Sequence, residues 1–306
     1  MRNHQSFCRI TKKHVIQWAC LMALTLIRWE GFSTYFGPVL RKMVAGLPPT
    51  ARDHLFMVLS QYATPVGKQR LGTSSIEGGL ALAKENGFEP AHIVDVGAFA
   101  GEWGRLARRV FPNVPLLMIE GNGENEAALQ CAAAELGDAS YQIALLGAEQ
   151  RPAVLFYRNG KGTSVLKELT AYQTIPERAD MHTLDTLAAD LAGPLLLKLD
   201  VQGYELEVLR GGQETLQRSE LVLLEVSLLP YNEGAPLFAD VVRFMSEAGY
   251  ALSDICDQAR RESDDALFQA DILFAKADSK LRAKKPFWRA EHADSILQTV
   301  PSKNSQ

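Results

Sequence analysis

The chain has 306 residues, 47% of them hydrophobic and 22% charged, with a formal net charge of −4, which is ample for a core and excludes a disordered or fibrous protein. There is no strong basic excess of the kind that marks nucleic-acid binding, so no nucleic-acid partner is expected. The four cysteines, Cys8, Cys20, Cys131 and Cys256, show no CxxC pair or metal-ligand spacing; no disulfide framework and no metal site are indicated, and a reducing, cytoplasmic compartment is the default.

Residues 1–72 read as a helical N-terminal extension, broken around Pro48 and Pro49 and again around Pro65 and Gly67. Within it, Val15 to Ile27 is uncharged behind basic residues, but about thirteen residues fall short of the roughly 17–25 a helix needs to span a bilayer. Arg28 and Trp29 stand where a signal peptide would carry its small cleavage residues. Two readings stand: a helix packed on the rest of the protein, or an interfacial segment giving peripheral membrane contact through residues 15–27.

From residue 73 to 277 the pattern becomes regular. Ser74 and Glu77 have the spacing of a capping box and Gly87 supplies a stop, which predicts a helix before the first strand. "AHIVDVG" at 91–97 is that strand. In "EWGRLARRV", Trp103, Leu106, Ala107 and Val110 recur at helical spacing. "VPLLMIEG", "SYQIALLG", "GPLLLKLD" and "ELVLLEVS" follow as strands, continuously apolar as parallel strands covered on both faces are. Between the third and fourth lies an insertion, Tyr157 to Leu169, whose Asn159-Gly160 pair suggests a hairpin turn and whose Gly162, Thr163 and Ser164 form a candidate polar lip. A further helical stripe at Phe238, Val241, Val242, Met245 and Ala248 ends at Gly249, and "YALSDIC" and "ADILFAKA" close the series. This alternation predicts an α/β fold: a doubly wound, mostly parallel seven-stranded, Rossmann-like sheet. Residues 278–306 are a basic, then polar tail with the character of a solvated terminus.

Such a sheet binds its ligand beyond the carboxyl ends of its strands. There Asp95 ends the first strand, Gly97 permits a sharp bend through Ala98 and Phe99, and Gly101 opens the helix. A dinucleotide loop needs a second glycine where this chain has the bulky Phe99, which argues against a pyrophosphate. The spacing suits a ligand without phosphates that offers an ammonium, a carboxylate and a nucleoside, namely S-adenosyl-L-methionine. Glu120 ends the second strand, 25 residues after Asp95, where a carboxylate can accept from both ribose hydroxyls, with Gly121 and Asn122 in the loop beyond it.

Downstream, Lys198 and Asp200 share one face of an otherwise apolar strand, and a buried Lys198 needs a partner, for which Asp200 or Glu225 are the natural choices. "DVGAFAG", "TLDTL" at 183–187, "LLKLDVQGYELEVLRGG", "LLEVS" and "DILFAKA" occur in an order that resembles the FkbM-type methyltransferases, over roughly residues 75–277. Members often carry Asn where this chain has Phe99 and Pro where it has Gly121. The resemblance implies S-adenosylmethionine-dependent transfer of a methyl group to a hydroxyl on a sugar, glycan or natural-product scaffold. In that chemistry the protein aligns the acceptor and helps remove its proton. Asp200 is the first candidate for base or substrate-orienting group, with Lys198 orienting Asp200 or Glu225. Glu225 either binds substrate or shares a divalent ion with Asp200, His182 is a rival base, and Asp185 reads as a helix N-cap. The alternatives are a non-catalytic S-adenosylmethionine-binding module or membrane-associated scaffold, and a nucleotide-sugar-modifying oxidoreductase, disfavoured by Phe99. A homodimer is left open.

Overall fold

The computed structural model describes residues 75–159, 162–170 and 173–283. The readings of Val15–Ile27, Ser74, Gly160 and most of the tail lie outside them. All described residues belong to a unit that begins at Arg70.

The first helix, α1 (Ile76–Glu85), is capped by Ser75, whose side chain accepts from the Gly78 N–H. Glu77 does not close a capping box; it pairs with Arg109 at 2.9 Å. Then follow β1 (His92–Val96), α2 (Glu102–Val110), β2 (Leu116–Glu120), α3 (Glu126–Leu136) and β3 (Ala139–Ile143). After the insertion come α4 (Leu184–Leu187), β7 (Leu195–Leu199), α5 (Glu205–Arg210), α6 (Gln213–Arg218), β8 (Ser219–Ser227), α7 (Phe238–Glu247), β9 (Tyr250–Arg260) and β10 (Leu267–Lys276). The seven-stranded sheet has the order β3-β2-β1-β7-β8-β10-β9. β10 is antiparallel to both of its neighbours, and the other pairings are parallel.

The apolar runs are buried on both faces because side chains alternate across the sheet. Val94, Leu197, Val222 and Leu224 pack with Leu206, Leu209, Val241 and Met245 on one side. Ile93, Met118, Leu196 and Leu223 pack with Leu80, Trp103, Ala107 and Leu129 on the other. The predicted third strand is interrupted: β3 ends at Ile143, and Leu145–Leu146 (β4) passes into a second sheet. That three-stranded sheet, ordered β4-β6-β5, contains β5 (Arg151–Arg158) and β6 (Ile175–His182). Its small core is Leu145, Phe156 and Met181, and most of its other side chains face solvent. No helix among the described residues is long and apolar enough to cross a membrane.

Candidate active site

The carboxyl ends of β1, β2 and β7 open onto a cavity of about 180 Å³. Gly97, Ala98, Phe99, Glu120, Gly121, Lys198 and Asp200 line it, as the sequence leads one to expect. Glu102, Trp103, Thr163, Ser164, Val165 and Tyr204 line it as well. Of these, Thr163 and Ser164 were legible as the polar lip, whereas Trp103 read only as a packing residue.

Gly97 lies at the closest approach of two strand tips. Its φ is +74°, and a Cβ there would stand 1.8 Å from the Asp200 carbonyl oxygen, so no side chain fits. Phe99 adopts a φ of +49°, which is uncommon for a non-glycine residue. That turn aims its N–H at Glu120 Oε2, 2.8 Å away, while the Asn122 N–H donates to Glu120 Oε1 at 2.8 Å. Two backbone donors thus orient the carboxylate, and each oxygen keeps acceptor capacity for a ligand. Burial raises the Glu120 carboxyl above its ordinary value, and those two N–H groups oppose the rise.

Lys198 reaches Asp200, as the spacing suggests, but has a nearer partner in Asp95. In the sheet register Asp95 and Lys198 are direct neighbours, and Lys198 Nζ stands 3.0 Å from Asp95 Oδ1 and 3.7 Å from Asp200 Oδ2. It also donates to the Gly97 carbonyl at 2.8 Å and the Val96 carbonyl at 3.3 Å. Burial alone would lower the Lys198 ammonium; the Asp95 and Asp200 carboxylates outweigh it and hold it charged. Asp95, fully buried, sits beside that ammonium and is not among the residues that line the cavity.

Gly101, Asn122 and His182 are likewise not among the lining residues. Gly101 is outside the cavity lining; a Cβ there would meet the Ala132 Cβ at 2.7 Å, so it serves the packing of α2 on α3. Asn122 is buried behind the cavity, where its side chain accepts from the Glu124 N–H at 3.1 Å. His182, at the end of β6, is the register neighbour of Leu146, which lines the cavity, but is not itself among the lining residues. Asp185 does cap a helix, but not its own, for Thr183 caps α4. Its carboxylate accepts from the Glu214 and Thr215 N–H groups at the start of α6.

Beside Asp200, Gln202 Nε2 donates to Asp200 Oδ1 at 2.9 Å and to Glu225 Oε2 at 2.6 Å. Gln269 Nε2 adds a third contact, 3.0 Å from Glu225 Oε2. Glu225 therefore meets Asp200 directly and through a shared amide, and acts on Lys198 by its charge at longer range than Asp95 and Asp200 do. Its carboxyl is raised well above the ordinary value, first by burial, then by the charges of Asp200, Glu205 and Asp271. No group of three or more His, Cys, Asp or Glu among the described residues has the arrangement to hold a metal ion. Ser164 Oγ donates to the Gln202 carbonyl at 2.9 Å, tying the insertion to this turn.

A doubly wound sheet in this strand order, with one reversed strand and acidic residues at the tips of β2 and β7 on one cavity, has the architecture of a Rossmann-like methyltransferase. The pattern of the methyltransferase FkbM domain matches residues 95–252, half of the chain, and the protein belongs to that family. Among solved structures, an FkbM methyltransferase from Methylobacillus flagellatus is 15% identical with a TM-score of 0.39, the match covering 60% of this chain and 43% of that one. A precorrin-6y C5,15-methyltransferase from Geobacter metallireducens is 12% identical at a TM-score of 0.39, over 69% and 93% of the two chains. A magnesium protoporphyrin IX methyltransferase from Synechocystis, solved with bound SAM, is 11% identical at a TM-score of 0.36, over 70% and 87%. No curated protein gives a significant match.

Proposed function

We propose that this protein is an S-adenosylmethionine-dependent O-methyltransferase acting on a hydroxyl of a sugar, glycan or natural-product scaffold. The observation that carries the reading is the presence of Glu120 and Asp200 on the walls of one cavity, at the tips of β2 and β7.

The residues fit the cofactor. Glu120, oriented by the Phe99 and Asn122 N–H groups, has acceptor sites left for a ribose diol. Phe99, Trp103, Ile119 and Leu145 give apolar surface for a base, and the glycine at 97 keeps the loop clear of side chain. When bound, S-adenosylmethionine supplies an already activated methyl group. What is left to the protein is to align the acceptor oxygen and take up its proton. Asp200 does this at the cavity wall, held by the Gln202 amide on one oxygen and facing the Lys198 ammonium with the other. Thr163, Ser164 and Tyr204 provide hydroxyls for a polar acceptor. We assign the protein to the cytoplasm, with a small-molecule or glycan acceptor and no nucleic-acid partner; for residues 15–27 a packed helix and peripheral membrane contact are the two readings to test, and a homodimer is the assembly to test.

The experiment is incubation of the full chain with methyl-labelled S-adenosylmethionine and a panel of glycosides and polyols. Label that enters the acceptor and survives alkali is an ether methyl; label lost to alkali is an ester and overturns the O-methyl-ether reading. Asp200→Asn should lose about 10²–10⁴-fold in transfer while still binding S-adenosylhomocysteine. Full activity in that variant removes Asp200 as base.

A further inference from the structure

Gln202 is placed with unusual care for a residue in a turn. Its φ is +55° and that of Gly203 is +91°, so two successive residues occupy the left-handed region. The turn is fastened from both sides. Glu205 Oε1 accepts from the Val201 N–H at 2.9 Å and the Gly203 N–H at 3.1 Å. Ser164 Oγ donates to the Val201 carbonyl at 3.3 Å and the Gln202 carbonyl at 2.9 Å. A side-chain amide has two N–H hydrogens, and here both go to carboxyl groups, one on Asp200 and one on Glu225.

We propose that Gln202 is a positioning residue for methyl transfer, its amide holding Asp200 and Glu225 as one hydrogen-bonded carboxyl pair with Asp200 on the cavity side. The link to transfer rests on the reading of Asp200 as base; the pair itself does not. Without the amide, Asp200 would keep Lys198 at 3.7 Å on one oxygen and its contact with Glu225, but would lose the donor on Oδ1 that helps fix its rotamer at the cavity wall. The groups facing the pair are Lys198 from β7, Glu205 from α5, and Asp271 and the Gln269 amide from β10, with Asp257 of β9 beside Asp271. Asp271 is the direct register neighbour of Glu225. Burial pushes the Asp271 carboxyl up to about 7, helped by Asp200 and Asp257. Glu225 is raised in the same sense, by burial first and then by the Asp200 charge. Donors that favour the charged form lower a carboxyl's titration, so removing the Gln202 amide should raise it.

The test is an infrared difference titration of the full chain with S-adenosylhomocysteine as probe, following the protonated-carboxyl band that Glu225→Gln abolishes. Two variants are used. Gln202→Asn tolerates a left-handed backbone but is too short to span both carboxyl groups, and Gln202→Met keeps the length without donors. In both, the midpoint of the band should move upward by about one pH unit or more, with S-adenosylhomocysteine affinity within about twofold of wild type. An unmoved midpoint in both variants overturns the proposal, and so does lower thermal stability without a shift, which is what a merely structural glutamine would give. A shifted midpoint together with a fully active Asp200→Asn enzyme keeps the pair and discards the base.

Discussion

Asp95→Asn isolates the ion pair that the sheet register creates. The substitution keeps the shape of the side chain and removes one of two charges held 3.0 Å apart, the carboxylate fully buried and the ammonium nearly so. Breaking a buried pair from one side costs roughly 3–5 kcal/mol, because the surviving charge stays desolvated. Here Lys198 keeps the Gly97 carbonyl at 2.8 Å and Asp200 at 3.7 Å, so a loss near the lower end, about 3 kcal/mol, is expected at pH 7. That is a large share of the roughly 5–15 kcal/mol that holds a domain folded. Urea denaturation of the full chain reads it directly. Adding Lys198→Met removes the stranded ammonium, so the double variant should be less destabilised than the sum of the singles by about 1–3 kcal/mol. A single-variant loss under about 1 kcal/mol, or strictly additive losses, would refute the view that the two charges hold β1 and β7 as a pair.

Glu120→Ala should weaken S-adenosylhomocysteine by roughly 1.5–3 kcal/mol through loss of charged hydrogen bonds, and calorimetry showing equal affinity would detach Glu120 from the ribose. Stability should fall between pH 5 and 8, because burial pushes the Glu205 carboxyl from 4.5 up to about 7 against the N–H groups of Val201 and Gly203. A folded value above the unfolded one means its contribution is complete below about 4.5 and lost as pH rises through about 7. Glu205→Gln keeps an acceptor for both N–H groups and should flatten melting temperature against pH, the residual slope belonging to Asp271; an unchanged slope would exclude Glu205 as its source.

Five of the seven strands of the main sheet, β1, β2, β7, β8 and β10, were legible as largely apolar runs, and burial on both faces leaves that mark. β5 and β6 were not. "IPERADMH" carries no apolar run, and "RPAVLFYR" holds "AVLFY" without burying it on both faces, so that only Phe156 and Met181 are fully buried in the two strands. Glu120 and Asp200 could be placed because strand tips follow from strand ends. Asp200 was legible as a partner of Lys198, but the nearer one, Asp95, was not, since it depends on the register between β1 and β7, which nothing local in "LLLKLD" or "HIVDV" encodes. The same limit explains Asp185, whose spacing announced a cap without showing that the capped helix is α6. Gln202 sat in view inside "DVQGYE", but its role depends on β8 lying beside β7.

The meeting of β1 and β7 also bears on how the cavity comes into being. Lys198 and the Val96 carbonyl it reaches are 102 residues apart in the chain, and closing a flexible loop of that length costs on the order of 4 kcal/mol in chain entropy. Neither the Lys198 bridge nor the tight passage at Gly97 offsets that cost until both strands are seated, so there is no partial version of the cavity on a half-built sheet. Whatever binds there favours the assembled domain by mass action, and occupancy tightens the whole sheet where a loop site would steady only its own loop.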